Sequence, residues 1–256
     1  NAVSIQGRGA SNGFVTVTRP VFCNESGSTL RFLIPLFSLT AQKIHFTGAG
    51  RLFDRPQAVY QMLFDSQGLR FTQEPDGITV FGRLRPGGFK MPGDVSSQFI
   101  SGLMFAAPLM ESDSLIEVLP PYESRSYVDL TLDAMQQFGI KVAQRARKNG
   151  SVVYRIAAPQ TYTASDVTIE GDYSQAAFLA VLGCVLGGVT VTGLNPESKQ
   201  GDKVIMDILQ RCGGKCKAVD GGLKFSRSLL KATEIDLADC PDLGPILFTL
   251  GCFCSG

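Results

Sequence analysis

The chain has 256 residues, 44% of them apolar and 18% charged, and a formal net charge of +1. That length and apolar content bury a substantial core, as one large domain or two modest ones. The near-neutral balance excludes a broad polyanion-binding surface, so no nucleic-acid partner is expected and any anionic ligand must be held by local groups.

In chain order, the stretch from Ser26 begins polar and turns apolar at helical spacing up to 34, and a β-branched strand follows at 44–47. A second helix runs over 56–64 to Gly68, before short strands at 69–71 and 78–81. The same order returns with a helix from Ser96 to 104, a strand at 115–118, a helix from Tyr127 to Gly139, and strands at 140–142 and 152–156. It returns again with a helix from Tyr173 to 181, a strand at 189–192, a helix from Asp202 to Gly214, and strands at 216–219 and 223–225. Gly68, Gly139 and Gly214 stand where a left-handed helix C-cap is needed, at a period of roughly seventy residues. Asp242 opens a fourth copy.

Each unit thus reads strand, helix, strand, helix, strand, strand. The expected fold is mixed α/β (α+β), built from tandem βαβαββ repeats. One nearly complete domain is expected over 1–168 and part of a second over 169–256. The fourth copy stops at Gly256 with an apolar helix face still to be covered, so the chain is expected to be a fragment. The opening Asn1 and Ala2 look like a cloning remnant and carry no argument.

The apolar stretches are too short to span a bilayer, and no basic segment followed by an apolar one opens the chain. Seven cysteines, an odd number in mostly apolar surroundings, read as reduced thiols of a cytoplasmic protein. Cys212 and Cys216 lack metal-ligand spacing, and His45, the only histidine, lies in a strand without a nucleophile nearby; no metal site is expected.

The helix starts are the places where chemistry is expected, because free backbone N–H groups and the positive end of the helix dipole converge there. Ser26, Gly27, Ser28 and Thr29 open one helix, and Ser96 and Ser97 open another; each serine is either an N-cap or an anion ligand. Arg51 and Arg55 precede a helix, and Arg31 sits in the first turns of another. A guanidinium fork matches phosphate or carboxylate oxygens, the plainer alternative being a surface pair such as Arg51 with Asp54. Ser124, Arg125, Ser126 and Tyr127 form a similar cluster. Asp242 is either an N-cap or a base poised over a ligand hydroxyl.

Five segments, Glu25-Ser-Gly-Ser-Thr-Leu-Arg31, Gly93-Asp-Val-Ser-Ser-Gln98-Phe, Ser124-Arg-Ser-Tyr127, Glu170-Gly-Asp-Tyr-Ser174 and Asp239-Cys-Pro-Asp-Leu-Gly-Pro245, resemble successive motifs of 5-enolpyruvylshikimate-3-phosphate synthase (3-phosphoshikimate 1-carboxyvinyltransferase). The resemblance spans nearly the whole chain. It implies the enolpyruvyl transferase fold of βαβαββ units, and transfer of the enolpyruvyl group of phosphoenolpyruvate to the 5-hydroxyl of shikimate 3-phosphate with release of phosphate. It places the protein in aromatic amino acid biosynthesis by the shikimate pathway, as a cytoplasmic monomer with no metal or organic cofactor. By the same resemblance Ser96, Ser97, Gln98, Ser124 and Asp242 would bind shikimate 3-phosphate, with Asp242 as the catalytic base. Gly27, Arg55 and Gln98 would bind phosphoenolpyruvate, while Arg125 and Tyr127 would line the phosphate end.

The departures are specific. Glu25 stands where many members have asparagine. The family's Ser-Lys-Ser motif, its Glu-Arg pair, and its C-terminal arginine and lysine have no counterpart in these residues, so this stretch by itself is expected to be inactive. Two alternatives stand beside the main reading. One is a non-catalytic binder of a phosphorylated ligand. The other is UDP-N-acetylglucosamine enolpyruvyl transferase, which lacks the Ser-Ser-Gln motif.

Overall fold

The computed structural model describes residues 2–7 and 16–256; Asn1 lies outside them. The first repeat contains β1 (Val21–Phe22), α1 (Gly27–Phe37), β2 (Lys43–Thr47), α2 (Ala58–Ser66), β3 (Arg70–Glu74) and β4 (Gly77–Phe81). The second contains β5 (Gly88–Pro92), α3 (Ser97–Ala106), β6 (Ser114–Leu119), α4 (Arg125–Gln137), β7 (Val142–Ala146) and β8 (Val152–Ile156). The third contains α5 (Tyr173–Leu186), β9 (Val189–Thr192), α6 (Ile205–Arg211), β10 (Lys215–Val219) and β11 (Gly222–Ser226), and α7 (Gly244–Gly251) follows. Two compact units result, Asn1–Tyr122 with Thr131–Asp166, and Glu123–Leu130 with Val167–Gly256.

The three sheets repeat one topology, in the orders β1-β2-β4-β3, β5-β6-β8-β7 and β9-β11-β10. In the first two, the opening pair is parallel and the rest antiparallel. A helix must carry the chain between parallel neighbours, whereas the closing antiparallel pairs need only turns. The third sheet differs from expectation by lacking the opening strand. Gly171 N–H alone reaches the Gly193 carbonyl at 2.9 Å, the counterpart of Cys23 N–H to Thr47 O at 2.7 Å in the first repeat.

All three helices close with the same pair of bonds, two of them at the predicted glycine. Gly68 N–H reaches Asp65 O and Leu69 N–H reaches Phe64 O; Gly139 and Ile140 reach Gln136 and Met135 in the same way. In the third repeat the left-handed residue is Gly213, with φ of +84°, and not Gly214. Gly214 instead donates to Leu209 O, and a Cβ there would lie 3.1 Å from Cys184 Sγ, so its smallness serves packing.

In the first unit, α1 and α3 cross in direct backbone contact. A Cβ on Gly102 would fall 2.2 Å from the Arg31 carbonyl oxygen. Phe32 and Phe105 meet edge-on at 5.2 Å, and Tyr60 and Phe99 at 4.9 Å. Strand alternation sends Ile44, Phe46, Ile116 and Val118 into the core. The second unit has its own core of Ala177, Cys184, Ile208, Phe225, Leu243 and Leu250. Among the described residues, no helix is long and apolar enough to cross a membrane, and no group of His, Cys, Asp and Glu is placed to hold a metal.

Candidate functional site

The crossing of α1 and α3 sets their N-terminal ends side by side. Ser26 caps α1: its Oγ accepts from Thr29 N–H at 3.1 Å and from Thr29 Oγ1 at 2.8 Å. Ser96 caps α3, with Oγ accepting from Gln98 N–H at 3.3 Å. The expectation of caps therefore holds for both serines. Ser97, the first residue of α3, is only 8% exposed.

Gly27 is the first residue of α1. A Cβ at this position would lie 3.0 Å from Arg55 Nη1, 3.6 Å from Gln98 Oε1 and 3.9 Å from Arg31 Nη1. Three separate stretches of the chain, carrying Gly27 with Arg31, Arg55 and Gln98, thus surround one small volume, which a side chain at 27 would fill. Arg55 follows the 3-10 turn Leu52–Asp54 in extended backbone. Its carbonyl accepts from the side-chain amides of Gln57 and Gln73 at 3.5 Å each, which pins the main chain while the guanidinium stays exposed.

Arg31 is 9% exposed. Its Nη1 donates to Gln98 Oε1 at 2.9 Å and its Nη2 to Pro56 O at 3.3 Å, and the guanidinium carbon lies 4.4 Å from the centre of the Phe99 ring. Its Nε is buried without a partner. Burial weakens its hold on the proton; nearby Tyr60 opposes this and Arg55 adds to it. Among the described residues, no carboxylate pairs with Arg31 or Arg55. Arg51 differs: it makes the surface pair with Asp54, at 3.2 Å with both side chains exposed. Two uncompensated guanidinium groups and a helix N-terminus make this volume fit for an anion.

Ser124 and Asp242 fall in the second unit, each described there. Ser124 has φ of +53°, unusual for a residue with a Cβ, and its N–H bonds the Ala238 carbonyl at 3.2 Å. Asp242 is exposed in the 3-10 turn Pro241–Leu243, and it is not the N-cap; Cys240 holds that position and makes no side-chain cap bond. The Asp242 carboxylate is therefore not engaged in capping, and with Asp202 it raises the proton affinity of Tyr127, which burial had already raised.

Asp202 was not singled out by sequence. It is 2% exposed, and its Oδ2 accepts from Tyr127 OH at 3.0 Å and Ser174 Oγ at 2.5 Å, while Oδ1 has no partner. Burial pushes its carboxyl pKa up, the bonds from Ser174 and Tyr127 pull it down, and the charges of Asp242 and Asp172 push it up. No local signal marked it; in the fold, Gly201 before it leaves room for its neighbours, since a Cβ there would lie 2.3 Å from Ser126 Oγ and 2.9 Å from the Asp239 carbonyl oxygen.

The family model described as EPSP synthase (3-phosphoshikimate 1-carboxyvinyltransferase) matches residues 1–256. The 3-phosphoshikimate 1-carboxyvinyltransferase of Clostridium kluyveri is 41% identical over 253 residues, which are 98% of this chain and 58% of that protein. The enzyme of the same name from Clostridium botulinum strain Alaska E43 is 41% identical over 245 residues, 94% of this chain and 56% of that protein. A solved EPSP synthase from Acinetobacter baumannii superposes with a TM-score of 0.66 at 20% identity, over 93% of this chain and 56% of that one, a likeness of fold. The chain thus spans rather more than half the length of the curated relatives it matches.

Proposed function

The chain belongs to the EPSP synthase family, and on that premise we propose that the protein transfers the enolpyruvyl group of phosphoenolpyruvate to the 5-hydroxyl of shikimate 3-phosphate and releases phosphate. The observation that carries this reading is the convergence of Arg55, Arg31 and Gln98 on Gly27 without a balancing carboxylate among the described residues. A substrate with phosphate and carboxylate groups supplies the missing negative charge. Gly27 leaves room for it and offers backbone N–H at the start of α1.

Ser96, Ser97, Gln98 and Ser124 are read as the ligands of shikimate 3-phosphate. An alcohol is a weak nucleophile until its proton is being removed, and Asp242, which no helix engages as a cap, is the proposed base. The hydroxyl oxygen adds to the carbon that bears the phosphate oxygen, and the methylene carbon gains a proton. The resulting tetrahedral intermediate then loses phosphate, and a proton leaves the new methyl group to restore the double bond. The guanidinium groups offset the charge of both the bound substrate and the departing phosphate.

The reading extends to a cytoplasmic monomer that needs no metal or organic cofactor, with acceptor binding in residues 1–168 and the base in 169–256. The family match favours the shikimate acceptor over a UDP-sugar. The test is release of inorganic phosphate from phosphoenolpyruvate by the full-length protein, dependent on shikimate 3-phosphate and abolished in Asp242→Asn. Calorimetric titration with shikimate 3-phosphate, repeated on Ser97→Ala, tests the phosphate site: losing a charge-assisted hydrogen bond costs about 1.5–3 kcal/mol of binding. Absence of both phosphate release and acceptor binding would sink the assignment.

A further inference from the structure

Arginine has five N–H donors and no acceptor, so an amide that faces it must turn its oxygen inward. Arg31 Nη1 meets Gln98 Oε1 at 2.9 Å, and the same Oε1 lies 3.6 Å from where a Cβ on Gly27 would be. The reverse orientation would set the amide NH2 group against the guanidinium, donor against donor. The Gln98 NH2 group has no protein partner among the described residues and remains a donor beside the Gly27 volume.

We infer that Arg31 is a positioning residue: it holds the Gln98 amide in one orientation and reserves the NH2 group for an oxygen of the substrate. The inference rests on the proposed function in taking phosphoenolpyruvate as that substrate. Three features separate this role from a packing role. The guanidinium is buried, with its Nε unsatisfied. No carboxylate among the described residues balances its charge, and the Arg55 guanidinium beside it adds repulsion. A residue kept for stability would have a counter-ion or an apolar side chain here, since a buried unbalanced charge is costly and a well-packed apolar replacement is often neutral or better.

The two roles predict opposite signs for Arg31→Met in the full 256-residue chain. A positioning role predicts that the variant melts at or above the wild type and binds phosphoenolpyruvate at least tenfold more weakly by calorimetry. It also predicts one sharp pair of Gln98 side-chain NH2 signals in the wild-type NMR spectrum, which shift and broaden or average once the lock is removed. Arg31→Lys, which keeps the charge and loses the fork, is expected to lose affinity by several-fold and serves as the second variant. A lower melting temperature with unchanged affinity would overturn the inference and leave Arg31 a packing residue. If the wild type binds no phosphoenolpyruvate, the proposed ligand fails by itself. The melting comparison and the Gln98 signals then decide: a lower-melting Arg31→Met with unmoved amide signals overturns the inference, and the opposite pair upholds it.

Discussion

The hydroxyl of Tyr127, in the first turns of α4, donates to the buried carboxylate of Asp202 at 3.0 Å. The two residues come from helix starts 75 positions apart, and Ser174 donates to the same Asp202 oxygen. Burial sets the folded pKa of Asp202 above its unfolded value of about 3.9. A raised folded pKa means that the cost of the buried charge is absent below the unfolded value and grows as pH rises through the folded one. Asp202→Asn keeps an acceptor oxygen for Tyr127 and Ser174 and has no charge. It is expected to melt higher than the wild type at pH 7–8, with the difference closing toward about pH 4. Thermal melts across that range check this, and a wild-type advantage that grows with pH would contradict it.

Glu170 carries the opposite sign. Burial pushes its pKa up, but hydrogen bonds from Gln200, Ser198 and Asn195 outweigh this and leave it below the usual carboxylate range. Ser198 Oγ lies at 2.6 Å, Gln200 Nε2 at 2.8 Å and Asn195 Nδ2 at 2.9 Å. Its contribution is present above the unfolded value of about 4.3 and lost as pH falls through the folded one. Glu170→Gln can keep an oxygen for Ser198 and Gln200 but sets its NH2 group against the Asn195 amide donor, and is expected to cost about 1–2 kcal/mol at pH 7. Denaturant unfolding at pH 7 and pH 4 checks the sign: the deficit should shrink at the lower pH.

Gly27→Ala tests the anion volume. The added methyl would meet Arg55 Nη1 at 3.0 Å, a contact that the exposed end of a flexible side chain can relieve by swinging away. Alanine also suits a helix better than glycine. The variant is therefore expected to fold as well as the wild type, and to bind phosphoenolpyruvate at least tenfold more weakly because Arg55 is displaced. Calorimetry beside a thermal melt separates the two effects, and unchanged affinity would remove Gly27 from the site.

The helix starts were legible because a polar residue before an apolar 3.6-residue period is a local signal; Ser26 and Ser96 cap as expected. The order of helices and strands followed from the same repeat, except that the third unit lacks its opening strand. Other features were not local. Arg51 and Arg55 share one loop: the pair of Arg51 with Asp54 is three residues apart and legible from spacing, whereas only tertiary placement brings Arg55 to Gly27. Asp242 read equally well as a cap, since its separation from the capping position depends on where the 3-10 turn begins. Asp202 looked like any acidic residue at a helix start, because its burial depends on Tyr127 and Ser174 at separations of 75 and 28 residues. The third cap moved by one because adjacent glycines, Gly213 and Gly214, both satisfy the local rule.

The crossing of α1 and α3 couples stability to binding, and two substitutions separate these consequences. Gly102→Ala would place a methyl 2.2 Å from the Arg31 carbonyl oxygen and 2.5 Å from the Tyr60 hydroxyl. The first obstacle is helix backbone, which cannot rotate away as a long side chain can, so the helices must part. The expected cost is about 3 kcal/mol or more, and binding should fail too, since α1 carries Gly27 and α3 carries Ser97 and Gln98. Tyr60→Phe removes only the hydroxyl that lies 2.7 Å from Arg31 O and 3.1 Å from Phe99 O. It leaves the edge-on ring contact with Phe99 in place. It is expected to cost about 1–3 kcal/mol of stability while changing phosphoenolpyruvate affinity by less than about twofold. Urea unfolding and calorimetry on both variants decide the matter. Wild-type stability in Gly102→Ala would mean that the helices have slack at their crossing, and the alignment of Gly27 with Gln98 would then need another cause.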